Sequence, residues 1–371
     1  MRVVMTGGGS GGHIYPALAI ADKVMEKSPE SEIIYIGGKI GMEKDIVSKT
    51  SYPFKSVSSR WVDRIGNKFI MFFQLIWTGI VTFFGMLQAY GIMRKFKPDV
   101  VVGTGGFVCV PVVLAGKLYG ADTYIHEQNA FPGLANRLLS KYVKGILLGF
   151  KDASDVFGYS EKQVYVGNPV RKCFYEPDRL EARKKLGIPE DDFTVFSFGG
   201  SQGADTLNKI AFEYLKKING KEGKTLIFGT GAQYYDTVHE KLKEEGIEIS
   251  DNIRILDYIS DMENYLAAAD LVVSRAGALS LAEITVTGRA SILVPFPLAR
   301  DNHQYYNAKA VADVGGAVIF EEKDLDTDKV VSEIIALSEN REKQELMEEK
   351  SRMCGPFEAT DKIYEVISKI K

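Results

Sequence analysis

The sequence predicts an α/β protein made of two doubly wound domains, each a mostly parallel sheet covered by helices. Short β-branched runs alternate with longer helical stretches along the chain, the alternation that parallel βαβ units produce. The pattern starts twice, with a strand and a glycine-rich turn at Val3–Gly12 and again at Phe193–Ala204. A length of 371 residues also exceeds what one compact core usually organises, at roughly 100–200 residues per domain.

In chain order, the first-domain strands are expected at Val3–Thr6, Ile33–Ile36, Val100–Gly103, Thr123–His126 and Gly145–Leu148. The pattern restarts near Gly167-Asn168-Pro169, which sets the domain boundary and gives ranges 1–166 and 167–355. Second-domain strands follow at Thr194–Phe198, Thr225–Phe228, Leu271–Ser274 and Ser291–Val294. Cys354-Gly355-Pro356 then breaks the chain before a terminal helix, Glu358–Lys371, whose Ile363, Val366 and Ile370 form an apolar stripe. Such a helix is expected to pack back on the first domain, so 356–371 is assigned there. No short-period repeat or low-complexity tract is present, which removes solenoid and disordered-tail readings.

One element departs from ordinary patterning. Residues 69–93 are 25 residues without a charge, including Phe72, Phe73, Trp77, Phe83 and Phe84. Length alone permits a membrane span. The stretch, however, connects strands expected in one sheet, and a single crossing would leave the next strand on the wrong side of the bilayer. Gln74, Thr78, Thr82, Gly85 and Gln88 recur every three or four residues, giving a helix with a narrow polar stripe and a wide apolar face. Arg60, Arg64 and Lys68 precede it and Arg94, Lys95 and Lys97 follow it, a pattern suited to docking on an anionic membrane surface. Burial in the domain or in a dimer contact is the rival reading.

Composition excludes several function classes. With 45% apolar residues, 26% charged residues and a net charge of −3, nothing electrostatic favours nucleic acid. Cys109, Cys173 and Cys354 lie far apart without metal-ligand spacing, which fits a reducing cytoplasm rather than a disulfide framework or zinc site. The N-terminal Met1–Thr6 runs straight into glycines without signal-peptide features, so the expected location is cytoplasmic.

The first glycine-rich turn, Thr6-Gly7-Gly8-Gly9-Ser10-Gly11-Gly12-His13, leads from a strand into a helix and aims backbone N–H groups where phosphate binds. Gly7, Gly9 and Gly12 satisfy G-x-G-x-x-G, yet the second strand ends Tyr35-Ile36-Gly37-Gly38-Lys39, without the acidic residue that holds an NAD ribose. No Gly-Lys-Ser/Thr is present, so a P-loop is excluded. The second turn, Phe198-Gly199-Gly200-Ser201-Gln202-Gly203-Ala204, gives each domain one such turn, expected to face the other across a ligand cleft.

The motifs together resemble the MurG family of N-acetylglucosaminyltransferases, which make lipid II. The resemblance rests on Gly7–Ala21, His126-Glu127-Gln128-Asn129-Ala130 with Pro132-Gly133, Gly167-Asn168-Pro169-Val170-Arg171, Gly199–Ala204, Arg275–Glu283 and Pro295–Asn307, nearly the whole chain. Ser10 stands where the family usually carries threonine, and the hydroxyl survives. The resemblance implies two Rossmann-like domains in the GT-B arrangement. It also implies UDP-N-acetylglucosamine as donor, undecaprenyl-linked N-acetylmuramyl pentapeptide as acceptor, and formation of a β-1,4 bond at the cytoplasmic face of the cell membrane.

Site residues follow by the same resemblance. Ala278, Leu279, Ser280, Leu281, Ala282 and Glu283 would form the nucleoside site, with Glu283 accepting from the ribose hydroxyls. The backbone of Ile259 would read uracil. Arg171 would meet the diphosphate, assisted by Ser201, and stabilise charge on the departing UDP. Ser10, Gly11 and Gly12 are further substrate-binding candidates, and Asn129 and Gln304 would select the sugar hydroxyls and N-acetyl group.

Inversion from an α-linked donor needs one displacement and a general base, with no covalent nucleophile. His13 is the first candidate base, because a helix N-terminus favours the neutral imidazole. His126 and Glu127 are the fallbacks, and His239 is expected on an exposed helical face. Asp324-Leu325-Asp326-Thr327-Asp328 spells the D-x-D of metal-dependent transferases but precedes a helical run, so capping is the simpler reading and neither metal nor cofactor is expected. The rival functions are a UDP-N-acetylglucosamine 2-epimerase, a transferase with another lipid acceptor, and a noncatalytic sugar-nucleotide binder.

Overall fold

The computed structural model describes residues 1–60, 68–200, 202–299 and 302–369, the side chains of 68–70 excepted. The chain divides into two compact units, Met1–Arg171 with Glu358–Lys371, and Lys172–Phe357. The Gly167–Arg171 segment thus counts with the first unit.

The first unit runs β1 (Arg2–Thr6), α1 (Gly11–Lys27), β2 (Glu32–Gly38), α2 (Glu43–Val47), β3 (Phe54–Val57), α3 (Lys68–Phe96), β4 (Val100–Gly103), α4 (Cys109–Tyr119), β5 (Asp122–Glu127), α5 (Leu134–Leu139), β6 (Gly145–Leu148), α6 (Ser154–Phe157) and β7 (Gln163–Tyr165). Its strands form one seven-stranded sheet in the order β3-β2-β1-β4-β5-β6-β7, every pairing parallel. Such a sheet buries both faces. Val4, Val101, Ile125 and Ile146 face the core that includes α4, while Val3, Met5, Val100 and Val102 face the one that includes α1.

The last helix of the chain belongs to this unit. Ile363 and Ile367 of that helix (Ala359–Ile367) are fully buried in the core that includes α1. Tyr364 bonds Ser28 at 2.7 Å, and Asp361 pairs with Lys23 and Lys27, each at 3.1 Å. Val366 is only partly buried, and Ile370 lies outside the described residues.

The second unit follows the same plan with α7 (Arg179–Leu186), β8 (Phe193–Phe198), α8 (Asp205–Ile218), β9 (Lys224–Gly229), α9 (Tyr235–Glu244), β10 (Ile253–Leu256), α10 (Met262–Ala268), β11 (Leu271–Ser274), α11 (Ala278–Thr287), β12 (Ala290–Leu293), α12 (His303–Ala312), β13 (Ala317–Ile319), α13 (Thr327–Ser338) and α14 (Arg341–Met353). The terminal helix of the first unit is α15. Six parallel strands lie in the order β10-β9-β8-β11-β12-β13. Asp326 accepts from the N–H groups of Asp328 and Lys329 at 3.1 and 3.4 Å and so caps α13. His239 is half-buried, its ring 4.5 Å from that of Tyr235, rather than exposed as the sequence suggested.

The 29-residue α3 contributes only its C-terminal third to the core. Ala89 and Met93 are buried there, and a Cβ on Gly85 would stand 2.1 Å from the Ser58 carbonyl oxygen, so that approach needs glycine. Ahead of Gly85 the described residues of the helix contribute no buried side chain to that core. Phe72, Ile76, Ile80, Phe83 and Leu87, with Phe73, Trp77 and Phe84 beside them, are all exposed. These positions form one wide helical face. Because β3 and β4 flank α3 in sequence and lie in one sheet, the helix cannot cross a bilayer without pulling that sheet apart.

Candidate functional site

In an open parallel sheet, ligands bind beyond the carboxyl ends of the strands, where the strand order reverses. For the first unit that point lies between β1 and β4, and the loops there interlock. Gly8 N donates to Gly105 O at 3.2 Å; a Cβ on Gly7 would sit 2.2 Å from Thr104 Oγ1, and one on Gly106 2.2 Å from Gly8 O. Glu43, buried at the start of α2, accepts from Gly9 N at 2.9 Å and anchors the turn from the other side. No side chain caps α1 at Ser10; the His13 N–H turns back to Ser10 O at 3.1 Å, and the N–H groups of Gly11 and Gly12 ahead of it are the donors a helix start presents.

His13 stands on that first turn. Its Nδ1 lies 3.2 Å from Gln128 Oε1, and its backbone oxygen accepts from Thr104 Oγ1 at 2.6 Å. The ring therefore neither caps the helix nor pairs with a carboxylate. Arg171 lays its guanidinium over the Tyr15 ring, 5.2 Å from the centroid, which places it beside the same turn of α1.

The two fallback bases are differently placed. Both end β5 and both are essentially without solvent exposure. Glu127 accepts from Asn129 N and Nδ2, Gly133 N and Asn136 Nδ2, at 2.9–3.0 Å, so its carboxylate is filled by the loop it organises. Asn129 is thereby held with its amide nitrogen on Glu127. His126 has both ring nitrogens engaged, Nε2 at 2.9 Å from Gly167 O and Nδ1 at 3.1 Å from Gln128 Nε2. Neither side chain has a free lone pair to take a substrate proton. They build the site, and the reactive role expected of them as fallbacks does not fit this geometry.

Burial drives the pKa of His126 down from 6.5 to about 4, against the opposing pull of its bond to Gly167. The unfolded chain therefore takes up a proton near pH 6.5 that the folded one refuses until about pH 4. This contribution is fully present above the higher value and is lost as pH falls between the two, about 3 kcal/mol in all. Urea unfolding at a series of pH values should show a steeper acid loss for the native protein than for His126→Asn; equal slopes would mean that His126 is solvated or protonated.

In the second unit the reversal lies between β8 and β11. The turn after β8 packs backbone to backbone on the turn after β9: a Cβ on Gly203 (φ +76°) would stand 2.1 Å from Thr230 O. Ser201 lies outside the described residues. Ile259, after β10, is half-buried and closes over Gly229, where a Cβ would meet its Cδ1 at 2.5 Å. Ala278–Glu283 open α11 directly after β11; Ala278, Leu281, Ala282 and Glu283 are buried, while Leu279 and Ser280 are partly exposed. Gln304, in the first turn of α12, turns its amide oxygen to Phe296 N at 3.0 Å. All these candidates lie past the carboxyl ends of strands.

Residues not singled out from the sequence hold these groups in place. Thr104 and Gly105 form a third glycine-rich turn, Gly103-Thr104-Gly105-Gly106, detectable by the same strand-then-glycine signal as the other two. Arg275 bonds Glu322 and the Val294 carbonyl, the latter at 3.0 Å, and Glu322 accepts from Thr206 at 2.6 Å, tying β11, β12 and α8 together. A cavity of about 810 Å³ opens elsewhere in the second unit, lined by Arg179, Arg289 and Glu348 among others and by none of the candidates. Arg179 and Arg289 are spent on Asp270 and Glu348, at 3.1 Å for Arg179–Asp270 and 3.4 Å for Arg289–Glu348, and Arg352 bonds the Val286 carbonyl at 3.3 Å, which makes it a structural clamp.

Two family descriptions match the chain: glycosyltransferase family 28 N-terminal domain over residues 3–148, and glycosyltransferase family 28 C-terminal domain over residues 194–368. The UDP-N-acetylglucosamine--N-acetylmuramyl-(pentapeptide) pyrophosphoryl-undecaprenol N-acetylglucosamine transferase of Desulforamulus reducens is 40% identical over 372 residues, covering 100% of this chain and 99% of that protein. Among solved structures, MurG of Acinetobacter baumannii superposes with a TM-score of 0.74 at 27% identity, covering 99% of both chains. A Listeria monocytogenes structure titled as a UDP-N-acetylglucosamine 2-epimerase superposes at 0.70 with 15% identity over 99% of this chain and 95% of that one, a likeness of fold alone.

Proposed function

The chain belongs to glycosyltransferase family 28, to its MurG branch, and from that membership we infer that it makes lipid II. It transfers N-acetylglucosamine from UDP-N-acetylglucosamine to undecaprenyl-pyrophosphoryl-N-acetylmuramyl pentapeptide. Identity of 40% over the full length, to proteins named for this reaction, carries the reading. The epimerase alternative rests on fold likeness alone.

The assignment of roles is our proposal. The acceptor 4-hydroxyl attacks the anomeric carbon from the face opposite UDP, inverting it, while His13 takes the hydroxyl proton. Glu283 holds the ribose hydroxyls, the backbone of Ile259 reads uracil, and Ala278–Ala282 bring the open start of α11 to the nucleotide. Arg171, Ser201 and the N–H groups of Ser10–Gly12 stabilise phosphate charge as UDP leaves. Asn129 and Gln304 each have one amide end committed to the chain and present the other to a sugar. Arginine and helix dipoles supply the positive charge a metal would otherwise bring.

We further place the enzyme peripherally at the cytoplasmic face of the bacterial cell membrane, with the exposed face of α3 on anionic lipid. Three features support lipid as occupant. The face is apolar and aromatic through most of its width, exposed Arg94, Lys95 and Lys97 follow it, and the acceptor is lipid-linked.

The deciding experiment is transfer of labelled N-acetylglucosamine to a short-chain lipid I analogue, with and without EDTA. Acceptor-dependent, EDTA-resistant product is expected. Loss of product in EDTA sinks the metal-free assignment, and conversion of the donor to N-acetylmannosamine without acceptor sinks the transferase.

A further inference from the structure

We propose that Gln128 is a positioning residue that selects the tautomer of His13, keeping the proton on Nδ1 so that Nε2 carries the lone pair facing substrate. The inference rests on the reading of His13 as the base.

The argument starts from the buried amide of Gln128. One end of it lies 2.7 Å from Thr104 O and 3.2 Å from His126 O. Two carbonyl oxygens at that range repel an amide oxygen, so this end is the NH2 group. The same nitrogen meets His126 Nδ1 at 3.1 Å, and the amide oxygen is left facing His13 Nδ1 at 3.2 Å. An amide oxygen only accepts, so His13 Nδ1 must carry a hydrogen, and in a neutral imidazole Nε2 then has none. A free imidazole side chain in water favours the opposite tautomer, so this preference is imposed.

The other end of the relay has the same sense. His126 Nε2 stands 2.9 Å from the Gly167 carbonyl and must donate to it, leaving Nδ1 unprotonated to accept from Gln128. Its depressed pKa keeps it in that neutral form. Donation thus runs in one direction, from His13 Nδ1 to Gln128 Oε1, from Gln128 Nε2 to His126 Nδ1, and from His126 Nε2 to Gly167 O. The two histidines are predicted to hold opposite tautomers. Little can slip, because Asn168 Nδ2 holds the Gln128 backbone oxygen at 2.9 Å and Gly105 (φ +108°) lies against the His13 ring, where a Cβ would be 2.6 Å from Nδ1.

The test is nitrogen NMR on full-length protein labelled with ¹⁵N-histidine, its four histidines assigned by removing each in turn. At neutral pH, His13 should show a protonated Nδ1 and an unprotonated Nε2, and His126 the reverse. Gln128→Met should move the His13 signals towards the other tautomer and lower kcat roughly 10- to 100-fold, the scale of lost orienting partners, with the KM for donor near native. An Nε2-protonated His13 in the native protein overturns the proposal without any variant, as does a Gln128→Met enzyme with native spectra and native kcat. If the tautomers are as stated but His13→Ala leaves turnover intact, the reading of His13 as base falls instead.

Discussion

His13→Ala is expected to lower kcat by about 10²–10⁴ while leaving donor affinity within a few-fold, the signature of a lost general base. The expectation rests on what surrounds the ring. His13 sits on the open first turn of α1, one nitrogen spoken for by Gln128. His126 and Glu127, the other candidates in the same motif region, are buried with their acceptors filled. Neither is therefore ready to substitute, and a large loss should follow from one side chain. Steady-state kinetics with a short-chain acceptor, together with donor binding by calorimetry, separates the two quantities. A variant that loses donor binding in proportion to turnover would make His13 a phosphate-side residue, and one that retains turnover would leave proton removal to solvent.

Serine at both Phe72 and Trp77 should weaken binding to anionic vesicles by roughly 100-fold, taking about 1.5 kcal/mol for each aromatic side chain withdrawn from the apolar interface. The two side chains are 59% and 52% exposed, so the folded protein loses little packing and its unfolding midpoint should hardly move. Transfer to a soluble short-chain acceptor should be spared. Vesicle sedimentation at increasing anionic lipid content reads the effect. Unchanged vesicle binding removes lipid as the occupant of this face, and a concentration-dependent dimer that disappears in the variant assigns the face to a second copy.

The strands found from sequence and those passed over divide along a physical line. All nine expected strands lie inside the two sheets, where both faces are buried and an uninterrupted β-branched run results. The four strands passed over, β3, β7, β10 and β13, are the four sheet edges. Phe54-Lys55-Ser56-Val57 and Gln163-Val164-Tyr165 carry polar side chains because an edge is half solvated, and their register comes from a neighbour rather than from their own pattern.

The candidate site divides in a similar way. Glycine turns were legible because close backbone approach demands particular residues locally, and the start of α11 and the His126–Ala130 motif were legible through their resemblance to the family. Division of labour within His126-Glu127-Gln128 was not, since three adjacent polar letters carry no sign of which is filled by its own chain. Glu43 was invisible for the same reason: its partner, Gly9, is 34 residues away.

The sequence by itself determined the two-domain parallel architecture and the two glycine-rich turns, consequences of local backbone chemistry and repeated pattern, and the membership of the family through the resemblance of its motifs. Only the tertiary structure decided that Glu127 and His126 support the site, that Gln128 faces His13, and that α3 leaves an aromatic face uncovered. Those outcomes depend on which distant groups use up a side chain's hydrogen-bonding capacity or hide its surface, and burial and pairing are properties of the folded chain.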